Sequence, residues 1–149
     1  MSKNKILTQK EINAHKIDNQ LIESIESHRK LLKIKKSKYK VLDWGCGKGK
    51  SVVKLRNLKY SAYGIDIDQK VLNNAKKYFI KNNLKFEKIL KAITKDNKTN
   101  FKDNYFHFIY SNQLFEHVNN LDTLIKEMDR ILINNGKGFH SWAPSYSII

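Results

Sequence analysis

VLDWGCGKGKSV, residues 41–52, decides how this chain is read. An apolar run ends in Asp43, and three glycines follow at alternate positions, Gly45, Gly47 and Gly49. Glycine lacks the Cβ that keeps a ligand away from the backbone, and it visits φ values that are costly for other residues. The flanks fit a turn between strand and helix: YKVLDW (39–44) reads as a strand, and 48–58 as a helix with Val52, Val53 and Leu55 buried.

Outward from that turn, strand and helix signals alternate. SAYGIDI (61–67) predicts a second strand, and Asp68 caps a helix whose apolar face is Val71, Leu72, Ala75, Tyr78 and Phe79. LKFEKIL (84–90) predicts a third strand, followed by a polar irregular stretch to about residue 104. YFHFIYS (105–111) is nearly continuously apolar, as a buried parallel strand is. Leu121, Leu124, Ile125, Met128, Ile131 and Leu132 define an amphipathic helix. It is expected to stop at the glycine signal NNGKG (134–138), with GFHSW (138–142) as a fifth strand. Upstream, residues 8–33 read as a helix on Ile12, Leu21, Ile25, His28 and Leu32. Strands separated by helices imply parallel pairing through crossovers, hence a doubly wound α/β sheet. The expected division is an N-terminal helical segment or lid over 1–38 and a ligand-binding domain over 39–149.

The 149 residues suit one domain with a sizeable core, and 40% hydrophobic content is that of a globular protein. No apolar run could span a membrane, and MSKNKILTQKEINAHK lacks the apolar core of a secretory signal, so a cytoplasmic location is the default. The lone cysteine, Cys46, excludes an intramolecular disulfide and a multi-cysteine zinc site, and no metal is expected. The net charge of +15 has two readings. Clustered lysines such as RKLLKIKKSKYK (29–40) attract phosphates, of nucleic acid or of a membrane surface. Alternatively, an excess of Lys, Asn and Ile is what an A+T-rich gene produces. With 26 lysines and three arginines, the chain is poor in the residue that makes bidentate phosphate and base contacts. No sequence-specific nucleic-acid partner is therefore expected.

In a doubly wound sheet ligands bind beyond the carboxyl ends of the strands. Asp66 stands 17 residues after Gly49, at the tip of the second strand, where a carboxylate can accept both hydroxyls of a ribose. A glycine turn with a ribose acid points to a nucleoside-bearing cofactor. The G-x-G-x-G spacing departs from the G-x-G-x-x-G of dinucleotide sites, whose third glycine is here Lys50, and Asp43 would repel a pyrophosphate while suiting a cation.

On these residues the chain resembles the class I S-adenosylmethionine-dependent methyltransferases, specifically their type-11-like, small-molecule group. VLDWGCGKG is similar to the family's first motif and YGIDID to its second; YFHFIYSNQLFEHV and MDRILINNGKGFHSW resemble its fourth-strand and fifth-strand segments. The resemblance covers roughly residues 39–142. It implies a Rossmann-like sheet of mainly parallel strands in the order 3-2-1-4-5, and S-adenosylmethionine as cofactor. It also implies that Asp43, Gly45 and Gly47, with Cys46 between them, face the methionine part, Asp66 the ribose, Ile67 the adenine and Asn112 the methionine end. Three departures stand out. Lys91-Ala92 occupies the place of an acid that holds the adenine amino group, so Ala92 would line that position and Asp96 is the candidate substitute. His107 replaces an acid in the fourth strand. LINNG lacks the proline of the usual helix end.

Glu116 and His117 open the segment after the fourth strand and are the candidates for a general base, imidazole being the base suited to neutral pH. Cys46 has nothing basic expected beside it to activate the thiol. His15, His28 and His140 read as packing or surface residues.

The expected reaction is methyl transfer to a small hydroxylated or amino metabolite. Adenine-amino and cytosine-C5 enzymes carry an (N/D)PP(Y/F) or a Pro-Cys signature, and SNQL matches neither. A rival reading is a truncated or vestigial cofactor-binding protein without turnover. The family usually adds two further strands after the fifth, and only eleven residues follow Gly138. The fifth strand, 138–142, would then be an open edge disposed to self-association.

Overall fold

A computed structural model describes residues 9–141, with side chains from Asp18 onward. In chain order the elements are α1 (Gln9–Leu31), β1 (Lys40–Trp44), α2 (Lys50–Asn57), β2 (Ser61–Asp66), α3 (Gln69–Lys81), the single turn α4 (Phe86–Ile89), β3 (Leu90–Ala92), β4 (Phe106–Asn112), α5 (Leu121–Ile131) and β5 (Leu132–Ser141). The five strands form one parallel sheet in the order β3-β2-β1-β4-β5, the order that the family resemblance implies. β1 lies at its centre, with Val41, Leu42, Asp43 and Trp44 all buried.

Alternation along the strands divides the core into two layers. Val41, Ala62, Phe108 and Tyr110 face one side, where Leu21 and Ile25 of α1, Val52, Val53 and Leu55 of α2, and Leu72, Ala75 and Phe79 of α3 cover them. Leu42, Trp44, Ile65 and Ile109 face the other side, against Leu124, Met128 and Ile131 of α5, and Phe106, before the register irregularity of β4, breaks the alternation and joins them. Those three α5 side chains recur at i, i+4 and i+7 on one stripe. Each contributes about 1.5–3 kcal/mol on burial, which outweighs the marginal helicity of an isolated eleven-residue segment. Asp68 accepts from the N–H groups of Lys70 and Val71 and caps α3 as predicted.

α1 is built into the core. Besides Leu21 and Ile25, its buried His28 donates from Nε2 to the Asn135 carbonyl (2.7 Å) and accepts the Tyr39 hydroxyl at Nδ1. His107, in place of the family's usual acid, accepts the Lys40 N–H at Nδ1 (2.9 Å) and stacks on the Tyr39 ring.

Two sequence expectations are corrected. The strand expected over 84–90 starts only at Leu90. Phe86 and Ile89 are three apart, a helical spacing, and one helical turn seats Phe86 edge-on against Phe79 and buries Ile89. Nor is NNGKG a glycine stop: α5 ends at Ile131, and the stretch lies inside β5. Phe106 pairs with Leu132 but Phe108 with Lys137, so Ile133–Gly136 bulges out of the ladder. A Cβ on Gly136 would lie 2.3 Å from Leu132 Cγ, so close packing in the bulge, rather than a left-handed cap, requires glycine there. Among the described residues β5 pairs with β4 alone. The expected contribution of Trp142 and of residues 144–149 lies outside the described residues.

Candidate functional site

The glycine turn is pinned to the neighbouring strand by its own backbone. The Ile65 carbonyl accepts both the Gly45 N–H (2.8 Å) and the Cys46 N–H (3.0 Å), and the Cys46 carbonyl accepts the Gly49 N–H (2.8 Å). All three loop glycines take left-handed φ, from 52° to 79°. Their surroundings differ, however. A Cβ on Gly49 would come within 2.6 Å of the Phe79 ring, so this glycine admits α3 to the core rather than a ligand to the backbone. Gly64 on β2 likewise serves packing, leaving space for Leu90 of β3 and for Cys46, which a Cβ there would meet. Gly45 is the loop glycine that opens onto a cavity.

Asp66 closes the arrangement from β2. Its Oδ2 accepts the Gly47 N–H (2.8 Å) and its Oδ1 the Asp68 N–H (2.9 Å). A carboxylate offers about four acceptor positions, so capacity remains on both oxygens for an incoming ligand. The cavity beside it has a volume of about 480 Å³, within the range of small-molecule and cofactor sites. Gly45, Asp66, Ile67, Asn112 and His117, all singled out in the sequence, line it. The Asn112 Oδ1 accepts the Ser141 hydroxyl (2.7 Å), which orients the amide so that its NH₂ remains a donor.

The other predicted residues sit elsewhere. Asp43 points to the α1 side of β1, buried at 4% exposure. Burial first, then repulsion from Asp66 and from Asp18 of α1, pushes its carboxyl up to about 8. Cys46 is buried against Gly64, and burial, then repulsion from Asp43 and Asp66, raises its thiol far above the ordinary range, so it is no thiolate nucleophile. Gly47 touches the site through Asp66. Ala92 lines a separate recess of about 220 Å³ with Lys91 and Phe101. Asp96 accepts the Thr94 hydroxyl and the Lys98 N–H in an exposed turn. Glu116 and His117 share an exposed 3₁₀ turn, Phe115–His117, and of the two His117 reaches the cavity. His140 accepts from or donates to the Ser111 hydroxyl (2.7 Å), and burial lowers its pKa.

Several wall residues were not identified from sequence: Trp44, Ile93, Lys95, Asn97, and Leu114 with Val118. Asn97 comes from the polar stretch between β3 and β4, where no periodicity exists to read. It is buried in a left-handed turn, its N–H bonded to the Thr94 carbonyl. Arg130 of α5 fixes this stretch: it pairs with Glu127 and Asp103 and donates to the Phe101 carbonyl, while Glu127 accepts from both the Thr99 N–H and hydroxyl. Among the described residues no group of three His, Cys, Asp or Glu side chains could hold a metal ion, and no helix is long and apolar enough to cross a membrane.

A parallel 3-2-1-4-5 sheet with a glycine turn after β1, an acid at the tip of β2 and a cavity over both defines a nucleoside-cofactor protein of the doubly wound class. The family described as a methyltransferase domain matches residues 42–139, and the chain belongs to it. S-adenosylmethionine is the cofactor that this membership assigns. The chain is 35% identical over 99 residues to the ubiquinone biosynthesis O-methyltransferase of Pelagibacter ubique, an alignment covering 65% of this chain and 39% of that protein. Its fold matches the YcgJ protein of Bacillus subtilis with a TM-score of 0.70 at 17% identity, over 85% of this chain and 50% of that one. It also matches a SAM-dependent methyltransferase of Aquifex aeolicus with a TM-score of 0.56 at 26% identity, over 71% and 58%. The chain thus spans between 39% and 58% of the length of these relatives.

Proposed function

We propose that this chain is an S-adenosylmethionine-dependent methyltransferase acting on a small hydroxylated or amino metabolite. The observation that carries the reading is the convergence of Gly45, Asp66, Ile67 and Asn112 on one cavity. Asp66 would accept the ribose hydroxyls on its remaining lone pairs, and Ile67, 55% exposed, would cover the adenine face. Asn112 would donate from its NH₂ to the carboxylate at the methionine end. Asp43 suits the ammonium at that end, because a buried carboxyl held neutral by desolvation and like charge regains its charge when a cation arrives. Cys46 and Gly47 support the loop from behind, and Ala92 leaves space near the adenine edge. Asp18 on α1 repels Asp43, which supports the reading of 1–38 as a helical segment packed beside the first strand.

The bound cofactor supplies an activated sulfonium methyl. The protein's share is then alignment and exclusion of water, which can provide much of the rate. His117 at the cavity rim is placed to take a proton from a hydroxyl acceptor, with Glu116 beside it in sequence. The O-methyltransferase relative favours an oxygen acceptor over an amine. The rival reading is cofactor binding without turnover. In the same proposal β5 is the edge through which copies would associate.

Calorimetry with S-adenosylmethionine, S-adenosylhomocysteine and a nicotinamide dinucleotide tests the cofactor reading. Binding of the first two and not the third is expected, and the reverse would overturn it. Release of S-adenosylhomocysteine over a panel of phenols, sugars and amines then separates enzyme from vestigial binder.

A further inference from the structure

The end of the sheet opposite the cavity has a composition that the cofactor site does not use. Cavity residues sit at the C-terminal tips of the parallel strands, whereas the α1–β1 link, the α2–β2 turn and the α3–α4 turn lie at the N-terminal ends. The first two are joined there: the Tyr39 carbonyl accepts the Ser61 N–H, and Lys36 Nζ lies 5.3 Å over the Tyr60 ring. Each of the three helices on this face carries an exposed aliphatic residue at or next to its C-terminal end, beside a lysine. Leu31 of α1 is 76% exposed and follows Lys30; Leu58, closing α2, is 38% exposed and precedes Lys59; Ile80 of α3 is 61% exposed and precedes Lys81. Lys33, Lys35 and Lys38 are exposed along the link between α1 and β1.

The acids here do not cancel that charge. Glu26 is held by Arg29, by the Tyr60 hydroxyl and by Lys36, and these partners pull its carboxyl down to about 2. Glu87 stands exposed between Lys85 and Lys88. Both local arginines are committed within the fold, Arg29 to Glu26 and the Ile34 carbonyl, and Arg56 to the Ala62 carbonyl and the Tyr63 ring. What projects is therefore a set of lysine ammoniums, compact charges without the fork that reads phosphates or bases bidentately. Tyr39 and Tyr60 are buried, and Tyr78 of α3, 37% exposed, is a single ring near these tips, which makes no run of stacking platforms. A second copy docking by this same face would set its lysines against these and be repelled.

We infer that this lysine-rich, aliphatic-tipped end is a docking surface for an anionic lipid bilayer. Lysines meet the headgroup charge, while Leu31, Leu58 and Ile80 enter the boundary beneath it. Attachment would be peripheral and reversible, and it would hold the cavity mouth facing away from the bilayer. The inference is independent of which acceptor the cavity takes.

Vesicle co-sedimentation of the full chain tests it. Binding should be at least about tenfold tighter to phosphatidylcholine mixed with phosphatidylglycerol than to phosphatidylcholine alone. Reversing three exposed charges (K33E, K35E, K38E) should weaken it at least about a hundredfold, since the loss of each lysine alone removes about 1 kcal/mol. Leu31→Ser combined with Ile80→Ser should remove the part of the binding that survives raised salt. If the charge-reversed protein melts early, the Lys→Gln triple replaces it and must show a loss of the same sign. Equal binding to neutral vesicles, no binding near physiological salt, or undiminished binding by folded variants would overturn the inference. Tighter binding to single-stranded RNA than to the anionic vesicles would do so too, and would assign the surface to nucleic acid.

Discussion

The Gly47 N–H donates to Asp66 Oδ2 at 2.8 Å, so the glycine turn after β1 and the acid at the tip of β2 are one hydrogen-bonded unit. A carboxylate proposed to recognise a cofactor therefore also holds the loop on which that cofactor would rest.

Asp66→Ala is expected to act twice. It removes a charged acceptor from the proposed ribose contact, weakening S-adenosylhomocysteine binding by about 1.5–3 kcal/mol, and it leaves the Gly47 and Asp68 amides without their partner. Asp66→Asn keeps one acceptor oxygen and should fall between wild type and Ala in both dissociation constant and melting temperature. An unchanged dissociation constant in a folded Ala variant would take Asp66 out of the site.

Asp43 predicts an unusual pH dependence. Its folded-state pKa is raised to about 8 from an ordinary 3.8, chiefly by burial. Between those values the unfolded chain has released the proton that the native protein keeps, so this group lowers stability as pH rises from about 4 to 8. Asp43→Asn should therefore raise the melting temperature of the ligand-free protein clearly more at pH 8 than at pH 5. Equal shifts at the two pH values would mean that Asp43 is ionised in the native state.

The two neighbouring loop glycines should respond unequally to alanine. Both have positive φ, and a non-glycine residue there costs about 1–2 kcal/mol. At Gly47 the added Cβ meets only Val71 at 4.0 Å, whereas at Gly49 it collides with Phe79 at 2.6 Å and crowds Leu90. Gly49→Ala should cost more than Gly47→Ala in denaturant melts, by about 1–3 kcal/mol of overpacking. Similar losses would show that Phe79 yields without strain.

The central strands, the glycine turn and the acid on β2 were legible because each rests on local pattern: continuous apolar runs at β1 and β4, alternate glycines, and an aspartate at a strand tip. The strand order came only with the family resemblance. The third strand was misread because Leu84 and Phe86 alternate as a strand would, while the deciding contact, Phe86 on Phe79, joins separate elements. Gly136 resembled a helix stop since sequence cannot distinguish a glycine needed for φ from one needed for space. Among the proposed site residues, those set by strand tips, Asp66, Ile67 and Asn112, reached the cavity. Asn97, Leu114 and Val118 come from connections whose course depends on distant contacts, and no periodicity announces them.

Arg130 is the most consequential of those contacts. From α5 it binds Glu127 and Asp103 and the Phe101 carbonyl, while Glu127 in turn accepts from Thr99, so one ion cluster anchors the β3–β4 connection that carries Lys95 and Asn97 to the cavity. Hydrogen bonds to charged groups contribute about 1.5–3 kcal/mol each when buried, but the guanidinium is a third exposed and screened, so Arg130→Ala should cost on the order of 2 kcal/mol in total. The hydrogen bond from Arg130 is the first cause that holds the Glu127 carboxyl down at about 2. A depressed carboxylate stabilises the fold above its unfolded pKa near 4.5 and loses that contribution as pH falls toward 2. Wild-type stability should thus decline over that window, and Arg130→Ala or Glu127→Gln should flatten the decline while lowering stability at pH 7. S-adenosylhomocysteine should bind Arg130→Ala several-fold more weakly, as the freed connection no longer presents Asn97. A variant with full stability loss and unaltered affinity would show that the wall formed by Asn97 takes no part in holding the cofactor.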